Sequence, residues 1–319
     1  MAKRRYVDIV CILFAVISGL FIIAFPMTNA FDMYNVPETM LQMITNSTLD
    51  TFEGVLTGSG PSSIDAKMGQ AVKEALFGSD GEAATLIKTV KYIFLGFAAV
   101  LAVILQIWNG FRELEAGRDT PAEIVFKTIY KTVWVLFLMD ALMRVIPHLI
   151  TLASKINDGI VGAIGDGSDN PPVTITLKQI CGRKPGFLAS IGVALLLVLP
   201  WGFSMLMKGG AYMLSFSILI EIGIRQMFFP LALYDVYIEG THSSGFRNIK
   251  KMLGAILRIS AVLLICDLGR IIAGAISNNF GDGGLVAILQ YLIVDLAINA
   301  TALGLTQRSQ EIINDALGA

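Results

Sequence analysis

Charge and reactive side chains are scarce in this sequence. Only 15% of its 319 residues are charged, 24 Lys and Arg against 25 Asp and Glu, and it holds three cysteines and two histidines. So little charge excludes a basic nucleic-acid-binding domain of the soluble kind. Cys11 and Cys266 fall inside apolar runs and Cys181 stands alone in a polar loop, which argues against a disulfide framework or a spaced zinc site. His148 and His242 are isolated from other ligand types, so neither is assigned a metal. The phosphate-loop pattern, HExxH and GxSxG are all missing, and no cysteine has a plausible base nearby. The sequence therefore offers no catalytic residue and no cofactor site, and an enzyme is not expected.

Hydrocarbon is what the chain has in abundance: 55% of its residues are hydrophobic, and its mean hydropathy is +0.68. The expectation is an all-α, polytopic integral membrane bundle of about six to seven transmembrane helices, with extramembrane amphipathic helices. No convincing inverted repeat relates its two halves, which weakens the case for the common secondary-transporter folds.

Residues 1–30 carry Lys3, Arg4 and Arg5 before an apolar run from Val7 to Pro26, which reads as a first transmembrane helix or as a signal peptide. Its length favours the helix, the apolar run being longer than a typical signal's, and Thr28-Asn29-Ala30 is only a fair cleavage site. Residues 31–85 are polar enough to lie outside the bilayer, yet Met40, Leu41, Ile44, Phe52, Val55 and Leu56 fall near one helical face. Such a segment lies on the membrane surface, docks on a partner or packs on the protein's own outer surface. After the linker-like GSGPSS at 58–63, a short helix is expected from Ile64 to Phe77.

Residues 86–152 supply two spans, about Tyr92–Phe111 and then 121 to about Leu152. The second opens on a capping box, with Thr120 as N-cap, Pro121 at the first helical position and Glu123 three residues on. Residues 153–186 form an extramembrane loop, in which the DGSDN run lacks the spacing of a calcium-binding loop. Residues 187–305 form the C-terminal transmembrane core, and residues 306–319 a polar tail.

The stretch Phe187–Tyr237, interrupted by Pro200 and by Lys208-Gly209-Gly210, reads most simply as two spans with a tight turn. With a cytoplasmic N-terminus, however, that count puts Arg247, Lys250 and Lys251 outside, against the positive-inside tendency. A net odd number of crossings, with one half broken around Pro200 or Lys208-Gly209-Gly210, returns these residues and the C-terminus to the cytoplasm. Further spans follow at about Met252–Ala275 and Leu285–Leu305.

Three acid and base pairs fall within these spans at helical spacing: Asp140 with Arg144, Glu221 with Arg225, and Asp267 with Arg270. They belong against protein or water, either as glue between helices or along a hydrated interior. Asp295 has no basic neighbour in its own span, although Asn299 one turn later is placed to hydrogen-bond it. Gly269, Ala273 and Ser277 repeat small residues every four positions and invite close helix packing.

The stretch RQMFFPLALYDVYIEGTHSSGFRNIKKMLG, Arg225 to Gly254, resembles a segment of TrbL-like proteins, polytopic inner-membrane channel subunits of type IV secretion and conjugation machines. The residues that carry the resemblance are Arg225, Pro230, Asp235, Gly240, Thr241, Ser243, Ser244, Gly245, Arg247, Lys250 and Lys251. It implies a multi-pass subunit of a bacterial plasma membrane, non-catalytic, assembled with copies of itself and with other secretion subunits including an ATPase, with translocated single-stranded DNA as a candidate partner. For the basic end, DNA phosphates, anionic lipid and an acidic partner all stay open. An ion-coupled small-molecule transporter using Glu221, Asp267 or Asp295 is the alternative reading.

Overall fold

The computed structural model describes residues 36–45, 47–58, 63–78, 81–117, 120–164, 187–232, 244–277 and 284–318. Among them every regular element is an α-helix. In chain order these are α1 (Val36–Ile44), α2 (Ser47–Thr57), α3 (Ser63–Phe77), α4 (Glu82–Glu115), α5 (Pro121–Ile164), α6 (Phe187–Ala232), α7 (Ser244–Ser277) and α8 (Gly284–Leu317). The all-helical membrane architecture follows from the sequence. The run at 7–26 and the loop at 165–186 lie outside the described residues, as do Asp235, Gly240, Thr241 and Ser243.

Four stretches among the described residues are long and apolar enough to cross a membrane: Ile64–Glu115, Ser190–Ala232, Ser244–Ile276 and Val286–Leu317. This is fewer than the six to seven expected. α5, many of whose side chains lie outside the description, is not among them. α6 accounts for another part of the difference, because it runs through Pro200 and Lys208-Gly209-Gly210 as one helix of 46 residues. At about 1.5 Å per residue it is roughly 69 Å long, over twice the hydrocarbon thickness.

The apparent breakers are absorbed locally. Pro200 sits between buried Leu197 and Trp201, so packing holds the helix where one backbone donor is lost. Gly210 lets Leu303 of α8 approach, with its Cδ2 3.3 Å from where a Cβ would stand. Lys208 places its ammonium over the Tyr212 ring, 5.8 Å from the centroid.

The chain divides into two compact units, to which α6, α7 and α8 each contribute residues. In the first, Val36, Met40, Leu41 and Ile44 of α1 pack with Val193, Leu197 and Trp201 of α6 and with Ala287, Ile288, Tyr291 and Leu292 of α8. Each set keeps i, i+3 or i, i+4 spacing, so one stripe per helix builds this core. The amphipathic segment expected at a membrane or outer surface is therefore an interior element: Met40, Leu41, Ile44, Phe52 and Val55 have no exposed surface. Its buried helix ends need hydrogen-bond partners. Ser204 of α6 supplies one, donating to the Ile44 carbonyl at 3.4 Å and meeting the Ser47 hydroxyl at 2.6 Å.

In the second unit, α4 and α5 form a hairpin. Gly117, with φ +63°, ends α4 in the left-handed conformation that glycine adopts without strain. The Thr120 backbone N–H donates to the Glu123 carboxylate at 3.1 Å, as the capping box requires, and the Thr120 hydroxyl donates to the same oxygen at 2.8 Å. Glu113 of α4 bridges to Lys127 and Lys131 of α5, each at 3.2 Å. The segment read as a polar tail is helical to Leu317 and continuous with the last span.

Candidate functional site

The densest polar constellation lies in the second unit, where α6, α7 and the end of α8 meet around Arg258. Glu221 and Arg225 pair as their spacing implies: Arg225 donates to Glu221 Oε1 from Nε at 2.9 Å and from Nη2 at 2.6 Å. The Gln310 amide donates to the same oxygen at 2.7 Å. Arg258 reaches the other carboxylate oxygen at 3.2 Å from Nη1. Its remaining donors go to the Ser309 hydroxyl at 3.2 Å, the Gln310 amide oxygen at 3.1 Å and the Thr306 carbonyl at 3.2 Å.

A guanidinium offers five N–H donors in a rigid fork, so a single Arg258 ties three helices through one planar group. Its side chain is only 7% exposed, against 24% for Glu221. Two guanidinium groups share one carboxylate, so the cluster carries a formal excess of one positive charge.

Sequence reasoning missed Arg258. The signal was present: no acid lies three or four positions away in its own helix, so an arginine inside an apolar run has to find its counter-charge on another.

The other pairs differ in kind. Arg270 meets Asp267 at 3.5 Å but Asp50 of α2 at 2.8 Å, so its closer partner comes from the segment expected outside the bilayer. This bond fixes α2 against α7. Asp50→Asn should loosen that attachment by about 1–2 kcal/mol. Hydrogen exchange across Ser47–Thr57 should quicken in that variant and stay unchanged in Asp267→Asn; equal effects would rule out the Asp50 bond as the tie.

Asp140 and Arg144 pair at 2.9 Å within α5, with side chains 55% and 79% exposed. Asp295, which has no basic neighbour in its own span, is 2% exposed and accepts from the Asn299 amide at 3.1 Å, while the same amide donates to the Asp295 carbonyl at 3.0 Å. Gly269 and Ala273 serve packing within the chain, since Gly269 faces Leu49 of α2 and Ile298 of α8.

Six residues of the resemblance segment besides Arg225 are described. Pro230 is buried two residues before the end of α6, and Ser244 and Gly245 open α7. Arg247 and Lys251 are exposed beside an open cleft of about 470 Å³, whereas Lys250 donates to the Gly318 carbonyl at 3.0 Å after the end of α8. The adjacent lysines thus have different jobs. No family model, curated protein or solved structure matches the chain.

Proposed function

We propose that this chain is a non-catalytic channel or scaffold subunit of a type IV secretion machine in a bacterial plasma membrane, working beside copies of itself, other subunits and an ATPase. The observation that carries the reading is how its charges are spent. Glu221 accepts from Arg225, Arg258 and Gln310 across three helices, an arrangement that holds helices in place. The resemblance of Arg225–Gly254 to TrbL-like proteins supplies the machine.

Deleting the gene should abolish conjugative DNA transfer from its host, with transfer restored by the gene in trans, and the tagged chain should co-purify with the machine's ATPase. Undiminished transfer in the deletion strain would sink the proposal. Buried Asp295 is the residue that keeps the transporter alternative in view. Solute uptake by the purified chain in liposomes, lost in Asp295→Asn, would replace the secretion reading with that one.

A further inference from the structure

We propose that the cleft between the end of α6 and the start of α7 binds the headgroup of one anionic phospholipid. Phe228, Leu231 and Ala232 of α6 make an apolar wall, and Arg247 and Lys251 of α7 supply the charge, with Asn248 between them as a neutral donor. Arg247 and Lys251 are four residues apart and share one helical face, so both cations reach the same opening. Among the described residues no acid lines it, and its volume of about 470 Å³ suits a small charged headgroup.

The position fits this ligand. Arg247 and Lys251 stand where the polar start of α7 passes into its apolar run, the level at which headgroups meet acyl chains. A phospholipid uses both walls, its phosphate on the cations and its glycerol and upper acyl carbons against Leu231 and Ala232. A nucleic-acid backbone would use the charge alone and leave the apolar wall of Leu231 and Ala232 bare. Lys250 takes no part: its ammonium holds the Gly318 carbonyl and lies 5.5 Å from the Phe246 centroid.

The inference does not depend on the secretion reading, and its test needs no machine. The full chain is purified in a neutral detergent and titrated with phosphatidylglycerol or phosphatidylcholine, bound lipid being counted by native mass spectrometry. Wild type and Lys250→Gln should retain one phosphatidylglycerol, with weak retention of phosphatidylcholine. Arg247→Gln with Lys251→Gln should weaken phosphatidylglycerol binding about tenfold or more, and the charge-keeping pair Arg247→Lys with Lys251→Arg should restore most of it. Millimolar inorganic phosphate should leave the lipid bound, and a single-stranded oligonucleotide should fail to displace it. Equal retention of the two lipids, equal binding by wild type and the neutral variant, or displacement by phosphate or oligonucleotide would each overturn the proposal.

Discussion

Arg258→Met is expected to destabilise the folded chain by about 3 kcal/mol, the cost of removing one member of a buried, hydrogen-bonded ion pair. Methionine keeps much of the stem's volume, so the loss comes from the acceptors left behind. Glu221 keeps Arg225 and Gln310, but the Ser309 hydroxyl, the Gln310 amide oxygen and the Thr306 carbonyl each lose a donor in a part of the fold where water is scarce. Arg258→Lys should recover less than half of the loss, because an ammonium cannot send parallel donors to acceptors on two helices at once. Glu221→Gln should also destabilise, since it leaves Arg225 and Arg258 facing each other without the shared carboxylate.

The double variant should cost less than the sum of its parts by more than about 1 kcal/mol, because both singles break the same bond. Unfolding in detergent micelles, followed by circular dichroism, measures all four proteins. A loss below about 0.5 kcal/mol for Arg258→Met would show that the network closes without it.

The contrast between this cluster and the capping box at Thr120 and Glu123 explains what the sequence made legible. The capping box, the Asp140–Arg144 pair and the Glu221–Arg225 pair join residues three or four apart, where helical geometry alone brings side chains together. Arg258 finds Glu221 37 positions away and Gln310 52 away, and Arg270 finds Asp50 220 away. Contacts of that range depend on how helices pack, which no local spacing encodes. Asp267 shows the consequence: its spacing to Arg270 is right, yet the tighter contact goes to Asp50.

α6 was misread for a related reason. Proline and paired glycines favour a break when only local propensity is weighed, but tertiary packing overrides propensity where the flanking side chains are buried. Leu197 and Trp201 on either side of Pro200, and Leu303 against Gly210, provide that packing. The same logic moved α1 inward. Its apolar stripe was visible in the sequence, while the surface it covers belongs to α6 and α8, whose buried stripes are hidden in runs that are apolar on every side.

Gly69→Ala is expected to cost about 2–3 kcal/mol, near the top of the range for one added methyl in a packed core. A Cβ at position 69 would stand 2.5 Å from the carbonyl oxygens of both Gly54 and Val55 and 2.7 Å from the Val55 Cα. All three are backbone atoms, so no rotamer change relieves the clash, and α3 has to move away from α2. Gly54→Ala should be milder, since its Cβ would meet the Asp65 Cβ at 2.7 Å and the Ala66 nitrogen at 3.1 Å. Both glycines belong to one crossing, Gly69 against Gly54 and Val55 and Gly54 against Asp65 and Ala66, where small residues let backbones approach within ordinary side-chain distance.

Gly96→Ala is the control that separates clash from helix propensity. Gly96 lies inside α4 with nothing within 4 Å of its added methyl, so the same substitution should stabilise there by about 0.5–1 kcal/mol. Thermal denaturation of the three variants in one detergent should therefore move in opposite directions, down for positions 69 and 54 and up for 96. If Gly69→Ala instead tracked Gly96→Ala, the close crossing of α2 and α3 would be refuted.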